Sequence, residues 1–141
     1  MNFISHAFHK VQSRNWPFVY FAIDVHDTIF KGTYKKDNEG KQFYPWAEQV
    51  LRNLSKNPKI KLLIYTSSHE QPARDVIKWL ESHDIKIYAL NDNPDHTGTH
   101  LCDFSKKFYF DILLEDKAGF EGWHDWFLIM KELQRIGEWK E

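Results

Sequence analysis

The chain has 141 residues, of which 28% are charged, and a formal net charge of −1. This balance excludes the long-range attraction by which strongly basic proteins approach nucleic acid or acidic membranes. The length predicts one domain, residues 1–141, with a single hydrophobic core. Cys102 is the single cysteine, which excludes an internal disulfide, and no segment resembles a signal peptide or a membrane span. We therefore expect a cytoplasmic protein that associates with no membrane.

The predicted elements alternate between helices and strands from the N-terminus onward. Residues 2–15 carry apolar side chains at helical spacing, and Pro17 ends this N-terminal helix, which we expect to pack on the core. Residues 18–23 form an apolar run of strand length, typical of a central strand covered on both faces. Residues 31–42 are polar and too few for a second domain, so they predict a flap or hairpin.

The alternation continues to the C-terminus. Further helices are predicted over residues 45–57, 71–82 and 126–136. Further strands are predicted over residues 60–65, 85–90 and 109–114. Strands and helices that alternate at this spacing predict a parallel sheet with right-handed crossovers, and therefore an α/β fold of the Rossmann-like type.

Polar side chains follow the carboxyl ends of three predicted strands. Asp24 ends the first strand, Thr66 begins a cluster of hydroxyls after the second, and Glu115 and Asp116 follow the last. These ends share one edge of a parallel sheet, where ligands bind, so we expect the side chains to converge there. A carboxylate at that edge can act as a nucleophile or a metal ligand, or it can simply cap the next turn.

In the same order, these segments resemble the four motifs of the haloacid dehalogenase (HAD) superfamily. The first motif, Asp-x-Asp-x-Thr, is matched by Asp24-Val25-His26-Asp27-Thr28, the second by residues 62–66, the third by Lys107 and the fourth by residues 113–116. The resemblance covers residues 18–120. Residues 107–111 and 115–120 look most like the small members, in bacteria and phages, that lack a cap domain.

This resemblance implies a three-layer α/β/α fold around a central parallel sheet, with no cap domain. The segments between the predicted elements are too short to hold a folded lid, which agrees with the absence of a cap domain. It also implies a hydrolase, a phosphatase that uses Mg²⁺ to cleave a phosphate monoester through an aspartyl-phosphate.

The family's nucleophile and metal ligands map onto four residues. Asp24 would attack phosphorus, which divides a difficult displacement into two easier ones. Asp24, the backbone carbonyl of His26 and Asp116 would hold Mg²⁺, and Glu115 would hold a water bound to the metal. The metal would neutralise the phosphoryl charge that otherwise repels a carboxylate nucleophile.

Three further residues would contact the phosphoryl oxygens in this family. Lys107 would bring a positive charge to them and balance the carboxylates. The hydroxyl of Thr66 and the amide of Ser67 would donate hydrogen bonds. Each has an ordinary alternative. Lys107 can be a solvated lysine, with the neighbouring Lys106 as the phosphate contact instead, and hydroxyls after a strand commonly cap a turn or helix.

His26 departs from the family's pattern, which has a second aspartate there as general acid and base. An imidazole exchanges protons near neutral pH, so His26 is a candidate for the same catalytic role. Asp27 is one residue out of register and suits a local turn better. Loss of one acid/base group costs about 100- to 10,000-fold in rate. The alternative is a catalytically weak or inactive module that binds phosphate or a partner.

An open, capless site suits phosphate on a small molecule, a protein or a nucleic-acid end, and by family analogy we favour nucleotides or nucleic-acid ends. We expect a monomer or a small homo-oligomer.

Three other groups have a functional and an ordinary interpretation. They are a possible zinc set (Asp92, His96, His100 and Cys102), a possible stacking platform (Trp123, His124 and Trp126) and flap lysines that would guide a polyanion (Lys31, Lys35, Lys36 and Lys41).

Overall fold

The computed structural model describes residues 2–32, 41–104 and 106–140. Its helices are α1 (Asn2–Ser13), α2 (Ala47–Lys56), α3 (Glu70–Ser82) and α4 (Asp125–Arg135). Its strands are β1 (Val19–Ile23), β2 (Ile60–Ile64), β3 (Ala89–Leu90) and β4 (Ile112–Leu114), and a short 3₁₀ turn (Asp116–Ala118) follows β4. Within these ranges, no helix has the length and apolar content needed to cross a membrane.

The four strands form one sheet in the order β3-β2-β1-β4, and every neighbouring pair is parallel. Ile23 at the end of β1 lies opposite Ile64 of β2 and Leu114 of β4. The three strands therefore end level with one another, and the residues that follow them lie at one edge. The prediction of an α/β, Rossmann-like fold with a central parallel sheet is confirmed.

All four strands are shorter than predicted, β1 and β2 by one residue each and β3 and β4 by several. Of residues 85–90, only Ala89–Leu90 pair with β2 as a strand, although the buried Ile85 belongs to the core. A run of apolar residues indicates that the side chains are buried, but it does not show whether the backbone pairs as a strand. The sequence therefore could not predict how much of this segment pairs. At the start of β4, the carboxylate of Asp111 accepts the amide proton of Tyr20 at 2.8 Å. This carboxylate takes the place of the backbone carbonyl that would accept the proton if the pairing of β1 with β4 were longer.

One face of the sheet and all four helices share a single apolar core. The strands contribute Val19, Phe21, Ile23, Ile60, Leu62, Ile64, Ile112 and Leu114. The helices contribute Ile4, Ala7, Val11, Val50, Leu51, Leu54, Val76, Leu80, Trp126, Ile129 and Leu133. Each fully buried aliphatic side chain of this kind contributes about 1.5–3 kcal/mol, which fixes the helices on this face.

The opposite face of the sheet is covered by the connection between β3 and β4. Tyr20 on this face donates a hydrogen bond to Asp95 of the connection at 2.7 Å, and the ring of His96 lies 4.4 Å from that of Tyr109. The described residues of this connection form no helix. The structure therefore replaces the second helical layer of the predicted three-layer α/β/α arrangement with an aromatic loop, because Asn, Asp, Gly and Pro favour turns there.

The predicted flap, residues 31–42, is described only at its ends. Residues 33–40, with Lys35 and Lys36, lie outside the described residues. Phe30 and Phe43 form an antiparallel bridge, and the amide of Tyr44 donates to the carbonyl of Ile29 at 3.0 Å. The segment therefore leaves and re-enters the fold at neighbouring points.

Candidate active site

Three carboxylates meet at the carboxyl edge of the sheet. One oxygen each of Asp24, Glu115 and Asp116 lies within 4.8 Å of the others, and all three residues are half-buried. The amide of Asp24 donates to the carbonyl of Leu114 at 2.9 Å, which ties the ends of β1 and β4 together. Three acids at this separation repel one another, so the cluster favours a bound cation or a proton.

Thr28 links two of these acids. Its hydroxyl donates to Oδ2 of Asp24 at 3.2 Å and accepts from the amide of Asp116 at 3.2 Å. Thr28 is fully buried, and its carbonyl accepts a hydrogen bond from Nε1 of Trp126 at 2.8 Å. Trp126 is buried as well, so its interpretation as part of a stacking platform is wrong. It packs beneath the site and fixes the loop that carries Asp24.

The environment of Asp24 disfavours its charged form. Burial raises the pKa of Asp24 to about 6, and the neighbouring carboxyl of Asp116 acts in the same direction. The amide of Val25 and the hydroxyl of Thr28 oppose this rise by hydrogen bonding to the carboxylate. A divalent cation at this position would stabilise the carboxylates in place of the proton.

A cavity of about 460 Å³ opens over the acids. Its lining residues are Asp24, His26, Asp27, Tyr65, Thr66, Ser67, Ser68, Glu115, Asp116 and Lys117. The structure thus brings six of the seven predicted site residues to one cavity. The converging strand ends place acids on one side and hydroxyls on the other, the arrangement that a metal-bound phosphate ester requires.

The seventh predicted residue, Lys107, lines a neighbouring cavity together with Lys106. Lys117 lines the acidic cavity instead, and its amide donates to Oε1 of Glu115 at 3.1 Å. Its position directly after the predicted acidic pair was the signal that could have identified it. The phosphate contact of Lys107 stays a prediction, with Lys117 as a second candidate.

Asn91 holds the backbone of Thr66, a role that the sequence did not reveal. Its Oδ1 accepts from the amide of Thr66 and its Nδ2 donates to the carbonyl of Thr66, both at 2.8 Å. Asn91 follows β3 with φ of 49°, a left-handed conformation that asparagine tolerates. The signal for Asn91 was its place directly after a strand, at the same edge as the acids.

His26 and Asp27 differ in what their side chains do. His26 is exposed, lines the cavity and places its ring 5.5 Å from that of Phe30. Asp27 has φ of 61°, and its Oδ1 accepts from the amide of Gly32 at 2.8 Å. Asp27 therefore closes the turn, as the local-turn interpretation predicts, and both residues line the cavity.

The donor set fits a hard divalent cation. Asp24, Glu115 and Asp116 offer only oxygen, the ligand type that Mg²⁺ prefers. Among the described residues, this is the one group of three or more acids, histidines or cysteines close enough to share an ion. The alternative zinc set does not come together, and one of its members, His96, packs on Tyr20 and Tyr109.

No family model and no curated protein matches the chain. Among solved structures, it is similar to a conserved protein coded by a locus of Bacteroides thetaiotaomicron. The two chains are 21% identical and superpose with a TM-score of 0.65 over 84% of this chain and 92% of the other. At this identity, the similarity establishes a shared fold.

Proposed function

We propose that the chain is a capless, HAD-type phosphatase that hydrolyses a phosphate monoester with Mg²⁺ through a phosphoryl intermediate on Asp24. One observation carries this proposal: Asp24 lies within 4.8 Å of Glu115 and Asp116 and shares a cavity with the hydroxyls of Thr66 and Ser67. Acids alone would indicate only a cation site. Hydrogen-bond donors opposite them add a position for phosphoryl oxygens.

Asp24, Asp116 and the carbonyl of His26 would hold Mg²⁺, with Glu115 acting through water. The bound metal would neutralise charge on the phosphoryl group. Thr28 fixes Oδ2 of Asp24 at 3.2 Å and thereby orients the carboxylate. The same hydroxyl holds the amide of Asp116, so one buried residue sets the separation of nucleophile and ligand.

The reaction has two steps. In the first, an oxygen of Asp24 forms a bond to phosphorus as the ester oxygen leaves and takes a proton from protonated His26. In the second, water attacks phosphorus, neutral His26 accepts its proton, and the bond to Asp24 breaks to release phosphate. His26 lines the cavity, and an imidazole can donate and accept a proton near neutral pH, which the two transfers require.

The oxygens of the transferring group would lie against the end of β2. The hydroxyl of Thr66 accepts from the amide of Ser68 at 3.2 Å, so its own proton remains to be donated. The two hydrogen bonds between Asn91 and the Thr66 backbone hold this segment in position before substrate arrives, which lowers the reorganisation needed in the transition state. Lys117, and Lys107 from the next cavity, would supply positive charge.

The test is hydrolysis of p-nitrophenyl phosphate with Mg²⁺ and with EDTA, across pH 5 to 9. We expect turnover that EDTA abolishes and that Asp24→Asn lowers by at least 1,000-fold, the scale expected for loss of a covalent nucleophile. Asp92→Asn, at an exposed acid outside the cavity, is the matched control and should keep full activity. His26→Asp should shift the acidic limb of the pH profile to lower pH, because carboxylates titrate below imidazole.

Turnover in Asp24→Asn equal to that of the wild type would contradict the proposal. Absence of turnover with this ester and with nucleotides, despite Mg²⁺ binding, would instead favour the second candidate, a module that binds phosphate without hydrolysing it. The exposed His26, which stands where the family has an aspartate, would explain the absence of hydrolysis.

A further inference from the structure

A second cavity, of about 680 Å³, adjoins the acidic one. Tyr65 lines both cavities and therefore forms the boundary between them. Its amide donates to the carbonyl of Ile23 at 2.9 Å, so its backbone is fixed at the sheet edge next to Asp24. A molecule with its phosphate among the acids would extend past Tyr65 into the second cavity.

The wall of the second cavity is aromatic. The ring centroid of Phe108 lies 6.0 Å from that of Tyr65 and 5.7 Å from that of Phe110, and the ring planes are inclined at 49° and 64°. Phe104 and Tyr109 also line the cavity. Tyr65 is 40% exposed, so part of this large side chain is accessible to a ligand. A planar ring system would stack on such a surface.

The charges in this cavity complement an anionic ligand that carries hydrogen-bond acceptors. Lys106 and Lys107 are exposed and line it, on the far side of Tyr65 from the acids, and they outnumber Asp103, the one acid among its described lining residues. Lysine donates to phosphate oxygens and to the acceptors on the edges of nucleobases. At about 680 Å³, the cavity is in the range of sites that enclose a whole small molecule and exceeds the needs of a single phenyl ring.

From these features we propose that the second cavity is a base-binding subsite and that the substrate is a nucleotide. The phosphate would lie in the acidic cavity, and its nucleobase would stack on Tyr65 between the Phe108 wall and the lysines. This proposal rests on the proposed phosphatase function for the position of the phosphate. The recognition of the base by Tyr65 is a separate property, which binding measurements can test without turnover.

A matched pair of ligands isolates the contribution of the base. Ribose 5-phosphate and a nucleoside 5′-monophosphate carry the same sugar and phosphate, and only the second carries a base. We expect the wild type to favour the nucleotide by about 5- to 150-fold in kcat/KM, the range of one base–aromatic stack. Nucleoside 3′-monophosphates and oligonucleotides with a terminal phosphate distinguish a free nucleotide from a nucleic-acid end as the source.

Variants at Tyr65 assign this preference to the subsite. Tyr65→Ala should remove most of the preference by lowering kcat/KM for the nucleotide far more than for ribose 5-phosphate, and Tyr65→Phe should keep the preference. Phe127 on α4 is also 40% exposed and lines neither cavity, so Phe127→Ala is the matched control and should behave as the wild type. Thermal unfolding of each variant establishes that it is folded.

Equilibrium binding of the same two ligands in the Asp24→Asn background gives a readout that needs no chemistry. If nothing is hydrolysed but the nucleotide binds more tightly and Tyr65→Ala removes the difference, the phosphatase proposal fails and the subsite stands. If esters are hydrolysed but the two ligands bind and react equally, the subsite proposal is overturned and the phosphatase stands. Preference for a phosphotyrosine peptide over every nucleotide would also overturn it.

Discussion

Replacement of Asp24 by asparagine should stabilise the metal-free protein while it removes the chemistry. Burial and the nearby Asp116 raise the pKa of Asp24 from 3.8 to about 6. A carboxyl whose pKa is raised on folding contributes stability below its unfolded pKa and loses it as pH rises through its folded pKa. Above pH 6, the folded protein therefore contains a destabilising negative charge on Asp24. Asparagine has nearly the same shape as aspartate and would remove this charge.

The size of the effect follows from the two pKa values. Each tenfold change in proton affinity corresponds to about 1.4 kcal/mol, so a rise from 3.8 to about 6 gives an upper limit of about 3 kcal/mol. Asp24 is only half-buried, and solvent screens part of this energy, so we expect Asp24→Asn to gain about 1–2 kcal/mol at pH 7.5. For a chain of this length, that is about 3–6 °C in Tm.

The assay is urea and thermal unfolding in EDTA at pH 4 and pH 7.5, with Asp92→Asn as control. The gain of Asp24→Asn should be present at pH 7.5 and largely absent at pH 4, where the wild-type carboxyl is protonated in the folded state. Adding Mg²⁺ should reverse the order: at 100 times its Kd, a ligand stabilises the wild type by about 2.7 kcal/mol, and the variant should gain much less. A variant less stable than the wild type in EDTA at pH 7.5 would show that the fold does not disfavour the charged form of Asp24.

Two further substitutions test the groups that position the site. Thr28→Val should lower the free energy of unfolding by about 1–3 kcal/mol, because the partly buried amide of Asp116 loses its acceptor. It should also reduce kcat, and an unchanged rate would show that the Thr28 link is only structural. Asn91→Ala should lower the free energy of unfolding in urea by about 1 kcal/mol and raise KM for the phosphate ester, since both hydrogen bonds to the Thr66 backbone are lost. An unchanged KM would mean that these hydrogen bonds do not organise the phosphate contacts.

The features that the sequence predicted well are those encoded in contiguous residues. The apolar runs at residues 19–23 and 60–64 are buried almost throughout, so their length and composition indicated strands and placed Asp24 and Thr66 at the sheet edge. Because parallel strands end at one edge, convergence of these residues with Glu115 and Asp116 followed from topology alone.

The features that it did not predict depend on contacts between distant segments. Asn91 acts on Thr66, 25 residues away, and no local pattern marks this pair. Trp126 donates to a carbonyl 98 residues earlier, so its helical periodicity indicated burial but not its role beneath the site. The connection after β3 has the composition of a loop, and its cover of the sheet depends on Tyr20, Asp95 and Tyr109, which become neighbours only in the fold.

The proposed mechanism requires that Asp24 is phosphorylated during turnover. Acid quenching of the Mg²⁺-loaded protein with excess phosphate ester, followed by peptide mass spectrometry, measures this directly. We expect one phosphoryl group on the peptide that contains Asp24 and none in the Asp24→Asn variant, which should also be inactive. Full hydrolytic activity in Asp24→Asn, with no phosphoryl group on that peptide in the wild type, would contradict it.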